Sequence, residues 1–177
     1  MANVNAPYGF VPWGITLSQH GYTVNASTAV YRNDVVDLSS AGLLQAASAG
    51  SLVLLGSSAG YYAASATKAL VYDDPKQVYH AQDLGSNTTP AQTTIGNYTD
   101  HTATAADTSL NRSKHSLTFT LGSTGTIWAN AGGVTSVPGQ GGFLVLDLLQ
   151  APDNAFGQYA KMVVGIQEHI RNTGAGI

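Results

Sequence analysis

The sequence contains no cysteine. This absence excludes disulfide bonds, thiolate nucleophiles and cysteine-based zinc sites. The five histidines do not compensate, because they are scattered, with no H-E-x-x-H motif and no pair at metal-ligand spacing. The adjacent Glu168 and His169 would point to opposite faces of a regular strand, so they could not share one metal ion. We therefore predict that the protein binds no metal and needs no cofactor.

Charged side chains are also scarce. They make up 10% of the chain, against about 25% in ordinary soluble domains. The net charge is -3 and no cluster of lysine and arginine is present, so the positive surface that a nucleic-acid-binding protein requires is missing. An isolated monomer usually relies on surface charge for solubility. The composition therefore favours a protein whose surface is partly covered by protein partners, although an adhesive β module would also fit.

No apolar run is long enough to span a membrane. Residues 38–67 carry no charge, but glycines and serines interrupt them, so no window of about 18 apolar residues remains. The first residues lack the basic region and the apolar stretch of a secretion signal. The sequence also has no G-x-S-x-G motif and no serine and histidine arranged as nucleophile and base. We predict a protein that neither enters a membrane nor acts as an enzyme.

The sequence does contain a central pair of β-prone segments. Residues Ala69–Tyr72 and 77–82 flank the tetrapeptide Asp73-Asp74-Pro75-Lys76. Asp74 and Pro75 suit the first two positions of a type I turn, which predicts a β-hairpin. Apolar residues are adjacent in both segments instead of alternating, which is typical of strands covered on both faces.

Further strands are predicted on either side of this pair. Residues 51–55 read as a buried strand between two glycines, and residues 143–149 as a strand that places Leu144, Leu146 and Leu148 on one face. Residues 158–170 fit both a strand and a helix, and we favour the strand because Gly165 and the neighbouring valines lower helix propensity.

Two segments are predicted as long loops. Residues 86–116 are polar and weakly patterned, which indicates a surface loop or a segment exchanged between subunits. Residues 122–142 include a glycine-rich loop. At 177 residues the chain suits one domain with a sizeable core. We therefore predict a mainly β fold, a single β-barrel or β-sandwich-like domain over residues 15–177, with an extended N-terminal arm and long loops.

The N-terminal arm, residues 1–14, is rich in prolines and aromatic residues. Prolines hold a chain extended, and rigid aromatic side chains bury a large area at low entropic cost. The arm would therefore suit docking onto a partner, but the alternative that it folds back over its own core is equally open. The candidate docking residues are Pro7, Tyr8, Phe10, Pro12 and Trp13.

Three stretches of the chain resemble a family of tailed-bacteriophage virion proteins, the head decoration or cement proteins. They are the opening M-A-N-x-N-x-P-Y-G-F-x-P, the central D-D-P followed by Q-V-Y-H-A-Q-D-L-G, and the late D-N-A-F-G leading to V-V-G-I-Q-E-H. The resemblance implies a β-rich protein, a homotrimer, on the outer surface of an icosahedral capsid. It would be made in the bacterial cytoplasm and would staple neighbouring major capsid proteins, with the N-terminal arm as a capsid-docking segment.

Two other functions remain open at the level of sequence. A tail or tail-tube subunit of a virion would share the β-rich composition but would assemble into rings or tubes. A carbohydrate-binding adhesive module would use exposed tyrosine and tryptophan as stacking platforms beside asparagine and aspartate. The location of the protein in a particle separates the first from a decoration protein, and glycan binding by the isolated protein identifies the second.

Overall fold

The computed structural model describes residues 3–49, 51, 53–85, 89–119, 142–167 and 169–172. These residues form eleven strands and two short 3-10 turns, at Gln92–Thr94 and Ile170–Asn172. In chain order the strands are β1 (Val11–Trp13), β2 (His20–Tyr22), β3 (Val35–Leu38), β4 (Leu44–Ala46), β5 (Gly56–Ser58), β6 (Ala69–Tyr72), β7 (Val78–Gln82), β8 (Tyr98–Thr102), β9 (Ser116–Thr118), β10 (Phe143–Leu148) and β11 (Lys161–Ile166).

The strands build two antiparallel sheets. The six-stranded sheet has the order β1-β7-β11-β10-β8-β9, and the five-stranded sheet has the order β2-β6-β5-β3-β4. The prediction of a mainly β protein is confirmed, and of the two predicted forms the sandwich-like one fits, since the sheets do not close into a barrel. No helix among the described residues is long and apolar enough to cross a membrane.

The larger hydrophobic core lies between the two sheets. Phe143, Val145 and Val164 from the six-stranded sheet pack in one cluster with Val35 from the five-stranded sheet and with Leu54. A second cluster covers the other face of the five-stranded sheet, and it contains Val24, Val30, Val36, Leu44, Leu55, Ala69 and Val71. Strand β3 therefore has both faces buried, because consecutive residues of a strand point to opposite faces.

The predicted central hairpin is wrong in its pairing, although its strands are close to their predicted positions. Strand β6 pairs with β2 and β5, whereas β7 pairs with β1 and β11 in the other sheet. The turn between them has the expected chemistry, since the Asp74 side chain accepts a hydrogen bond from the Lys76 amide at 2.8 Å. The difference arises at Asp73, whose buried carboxylate receives bonds from distant elements and fixes the point where the chain crosses between the sheets.

Several local predictions need correction as well. The described residues of the segment 51–55 form no strand. Leu54 makes a single bridge to His169, and the strand follows at Gly56–Ser58. The segment 86–116, predicted as a long loop, contains β8, which pairs with β9 and β10 in the six-stranded sheet. A five-residue strand of threonines and polar residues has little apolar alternation, so the sequence pattern gave no sign of it.

The two late strands were predicted at nearly the observed positions. Strand β10 occupies all but the last residue of the predicted 143–149, and β11 confirms that 158–170 contains a strand, which ends before the 3-10 turn at Ile170–Asn172. The prediction that Leu144, Leu146 and Leu148 share one face of β10 is wrong, because a bulge shifts the register between Val145 and Asp147. Leu144 lies opposite Gly165, and Leu146 is 40% exposed, whereas Leu148 lies opposite the buried Met162 and packs against the core. The glycine-rich loop predicted within 122–142 lies outside the described residues except for its last position.

Candidate functional site

The N-terminal segment lies against its own domain. The Phe10 amide donates to the carbonyl of Asn33 at 2.9 Å, the Asn33 side chain donates to the carbonyl of Tyr8 at 3.1 Å, and Ser57 Oγ donates to the carbonyl of Phe10 at 2.6 Å. Residues 11–13 continue as β1 at the edge of the six-stranded sheet. Of the two alternatives left open by the sequence, the one in which the segment folds back describes the structure.

Phe10 is a core residue. Its side chain is 1% exposed and stacks on Phe143 with ring centroids 4.6 Å apart. The His101 ring is perpendicular to the Phe10 ring, with centroids 6.3 Å apart. Among the five residues proposed for docking, Phe10 therefore has no surface to offer a partner. The sequence could not distinguish it from Tyr8 and Trp13, because an extended segment shows no periodicity that separates buried from exposed positions.

The other aromatic residues of the segment gather around His80 of β7. The Tyr8 hydroxyl lies 2.8 Å from Nδ1 of His80, and the Trp13 ring meets His80 edge-on with centroids 5.5 Å apart. Burial lowers the pKa of His80 and raises the pKa of Tyr8, so at neutral pH the hydroxyl donates to a neutral imidazole. Trp13 is 46% exposed, while Pro7 and Pro12 are half-buried.

The three stretches that carry the family resemblance meet in this region. The Asn3 side chain donates to the carbonyls of Ala155 and Gln158, and its oxygen accepts from the Ala155 amide. The Gln82 side chain donates to the carbonyl of Val4 and accepts from the Ala6 amide. These residues are distant in sequence but join the N-terminus, β7 and the loop before β11. The motifs therefore describe how one side of the domain is held together.

The outward face of the six-stranded sheet adjoins the N-terminal segment, since β1 is the edge strand of that sheet. Cross-strand partners in an antiparallel sheet share a face, and the register of β1, β7, β11, β10 and β8 alternates between core and surface. We call the surface side the outer sheet face. Its apolar and aromatic residues in register are Val11, Trp13, Val78, His80, Val163, Gly165, Leu144 and Tyr98. Leu146, at a bulge in β10, joins them because its side chain lies over Gly165.

The outer sheet face is apolar although it faces solvent. Trp13 and Leu146 are 46% and 40% exposed, and the others are buried or half-buried by their neighbours on the face. Val163 is 8% exposed yet does not belong to the internal core cluster. The charged side chains in the same register are Lys161, Asp147 and Asp100, and Lys161 pairs with Asp153 at 3.3 Å. Antiparallel sheets with one solvated face usually carry polar residues on that face, so the outer sheet face departs from the usual pattern.

Asp73 lies at the centre of a polar cluster at the crossover between the sheets. Its fully buried carboxylate accepts from the Tyr22 hydroxyl, from His20 Nδ1 and from Arg171, at 2.5, 2.8 and 2.9 Å. Burial acts to raise the pKa of Asp73, but the hydrogen bonds from Tyr22 and His20 and the charges of His20 and Arg171 outweigh it, so the pKa is lowered. The cluster ties β2 and the C-terminal 3-10 turn to the crossover.

A second polar group lies inside the core. His101 and His115 have ring centroids 5.7 Å apart, and His115 Nε2 is 3.7 Å from the Asp34 carboxylate. Burial raises the pKa of Asp34 to about 6 and lowers the pKa of His115 to about 3. The sequence gave no sign of this group, because its members are separated by up to 81 positions, from Asp34 to His115. The described residues contain no set of three or more His, Asp or Glu side chains arranged for a metal ion.

Comparison of the chain with protein-family models, with curated protein sequences and with solved structures finds no match. The resemblance to phage decoration proteins is therefore carried by the short motifs alone. Those motifs coincide with the residues that fasten the N-terminal segment beside the outer sheet face.

Proposed function

We propose that this chain is a structural virion protein that binds the outer surface of an icosahedral phage capsid. In this proposal it acts as a homo-oligomer, a trimer, and stabilises the shell by bridging neighbouring major capsid proteins. The outer sheet face is the surface that makes the contact. The motif resemblance supports the class of protein, and the apolar character of the outer sheet face supports the surface.

The observation that carries the proposal is the exposure of large apolar side chains across one sheet. Trp13 lies opposite the half-buried Val78 of β7. Leu146 projects from a bulge in β10 over Gly165 of β11. Contiguous apolar surface on a soluble protein usually marks an interaction site, and tryptophan is enriched among residues that dominate binding energy. The low fraction of charged residues, 10%, suits a surface that is covered in the assembled state.

The proposed docking set changes in one respect. Phe10 leaves it, since its side chain packs inside the domain, and its role is to hold β1 in place. Pro7, Tyr8, Pro12 and Trp13 remain at or near the surface, and Leu146 joins them. Several modest contacts per subunit, repeated around an oligomer, raise the effective concentration of each later contact. Binding to the assembled shell alone stabilises that shell by mass action.

The experiment compares surface substitutions in particles purified from producing cells. Trp13→Ser and Leu146→Ser remove exposed apolar side chains from the outer sheet face. Tyr61→Ser is the matched control, because Tyr61 is 45% exposed, packs at a tilt against Tyr31 and lies between β5 and β6 of the other sheet. Losing a tryptophan at the centre of an interface costs about 2 kcal/mol or more. We therefore expect reduced occupancy for Trp13→Ser and Leu146→Ser, measured by mass spectrometry and cryo-electron microscopy of the particles, and unchanged occupancy for Tyr61→Ser.

Each result has a definite meaning. Full occupancy by both face variants would overturn the assignment of the surface. Density for the chain in the tail would replace the decoration role with that of a tail or tail-tube subunit. Absence of the chain from the particle would remove the virion proposal and leave the carbohydrate-binding module, which binding of the isolated protein to a glycan array would then test.

A further inference from the structure

A pocket opens beside the N-terminal segment. Its volume is about 420 Å³, which falls within the range of about 300–1,000 Å³ that small-molecule sites occupy. One wall of the pocket is held in place by hydrogen bonds between Asn33 and the backbone of Tyr8 and Phe10. The lining residues are Tyr8, Val11, Pro12, Arg32, Asn33, Tyr72 and Arg112.

Two arginines provide the charge of this pocket. Arg32 and Arg112 are partners in a parallel bridge, so their side chains leave the backbone at neighbouring positions, and both line the cavity. Within the part of the chain that the structure describes, neither guanidinium has a carboxylate within 4.0 Å. The Nε of Arg112 is buried and has no hydrogen-bond acceptor among the described residues.

Three cations of the chain, Arg171, Lys161 and Lys114, each have a carboxylate partner, whereas the two arginines of the pocket have none among the described residues. A buried polar atom normally finds a hydrogen-bond partner, because leaving it without one is costly. Arg112, with the charge of Arg32 beside it, is therefore equipped for an acceptor that the described residues do not provide.

The walls of the pocket indicate the kind of acceptor. Guanidinium groups match carboxylates and phosphates through paired hydrogen bonds. Tyr8, Val11, Pro12 and Tyr72 surround the arginines with aromatic and aliphatic surface, which favours a ligand with an organic body over a bare inorganic ion. We propose that this pocket binds a carboxylate carried on an aromatic or aliphatic group. The assignment stands on the pocket alone and does not depend on the proposed virion role.

The carboxylate belongs either to a free small molecule or to an acidic side chain of a partner protein, and one titration separates the two. The full-length, ¹⁵N-labelled chain is titrated with sodium benzoate, with neutral benzamide of the same shape, and with sodium phosphate. A second series uses a capped Gly-Tyr-Glu-Gly peptide and its glutamine analogue. We expect saturable benzoate binding in the millimolar range, as is usual for a ligand of so few atoms, with shifts of the Nε–H signals of Arg32 and Arg112.

Matched variants test the role of each arginine. Arg32→Gln and Arg112→Gln should each weaken benzoate binding at least about tenfold, because a charged hydrogen-bonding partner is lost. Lys76→Gln removes the same charge from an exposed turn outside the pocket and should leave binding unchanged. Arg112→Lys keeps the charge but loses the paired donors, so it should also bind more weakly. Arg32 is exposed, so its variant reports on binding even if Arg112→Gln fails to fold.

The outcomes divide as follows. Binding of benzoate with weaker or no binding of benzamide and phosphate supports the proposal. Competition by the glutamate peptide, but not by its glutamine analogue, then assigns the carboxylate to a partner protein, and failure of the peptide to compete assigns it to a small molecule. Equal binding of benzamide, equal binding of phosphate, no saturable benzoate binding, or benzoate binding that Arg32→Gln leaves unchanged would each overturn it.

Discussion

Gly9 shows how a single position determines the path of the N-terminal segment. Its backbone has φ +81°, and a Cβ at this position would lie 2.3 Å from the carbonyl oxygen of Asn33 and 2.5 Å from Cβ of Ser113. Only glycine avoids both the steric cost of positive φ and the clash. The Tyr-Gly-Phe sequence therefore allows the neighbouring residues to diverge, with Phe10 entering the core and Tyr8 reaching His80.

Gly9→Ala should destabilise the protein much more than Gly14→Ala. Gly14 is the matched control, because it also has positive φ, +75°, but no atom lies within 4 Å of its added Cβ. An alanine at positive φ costs about 1–2 kcal/mol, and forcing extra atoms into packed structure adds about 1–3 kcal/mol. We expect a loss of about 1–2 kcal/mol for Gly14→Ala and about 3–4 kcal/mol for Gly9→Ala in urea unfolding. Equal losses would show that the segment does not pack tightly at Gly9.

At the scale of the element, the N-terminal segment is an integral part of the domain and not a separable arm, because it supplies strand β1 and the core residue Phe10. Deleting residues 1–13 should therefore destabilise the fold itself. It removes β1 and Phe10, and the loss of a buried phenylalanine alone costs about 3–5 kcal/mol out of a typical total of about 5–15 kcal/mol. Thermal unfolding followed by circular dichroism measures the effect.

The control for this deletion is a shorter one. Removing residues 1–5 loses the bonds of Asn3 and of the Val4 carbonyl but keeps Phe10 and β1, so it should cost only about 1 kcal/mol per hydrogen bond. If the chain without residues 1–13 unfolds at the same temperature as the intact protein, β1 and Phe10 contribute little to the fold. The segment would then be the independent arm that the sequence left open.

Strand positions were easier to predict than strand partners. The apolar residues of 69–72, 77–82 and 143–149 identified β6, β7 and β10, because burial on a pleated strand leaves a local pattern. Pairing depends on contacts far apart in sequence, such as Arg171 with Asp73, which no local pattern records. The bulge in β10, which separates Leu148 from the face of Leu144, was missed for a similar reason, since strict alternation along a strand contains no sign of an extra residue.

The candidate site residues show the same limit of local sequence patterns. Trp13 was identified from the sequence as an aromatic residue able to reach a partner, and it is exposed. The sequence did not identify Leu146, Arg32 and Arg112 as site residues. They become candidates only through their neighbours in the folded chain, which are distant in sequence. Arg32 and Arg112 are 80 positions apart in the chain, from position 32 to position 112, yet they are bridge partners.

At the scale of the whole molecule, the chain joins the two sheets through several independent contacts. Phe10 precedes β1 of the six-stranded sheet but accepts a hydrogen bond from Ser57 of β5. The Tyr79 hydroxyl of β7 donates to the carbonyl of Tyr72 in β6. After β11, the Ile170 amide donates to the carbonyl of Leu54, and Ile170 packs against the second core cluster. Each sheet therefore supplies part of the structure that stabilises the other.

These connections predict that both sheets unfold together. Leu44→Ala removes a fully buried side chain from the second cluster, on the far face of the five-stranded sheet, and should cost about 2–5 kcal/mol. If unfolding is global, the slowest-exchanging amides of β11 lose as much protection as those of β3, because both exchange through the same opened state. Native-state hydrogen exchange of the variant and the parent protein, compared at Val36 and Val164, measures this. A loss confined to Val36 would mean that the sheets open separately, and the contacts through Phe10, Tyr79 and Ile170 would then be too weak to couple them.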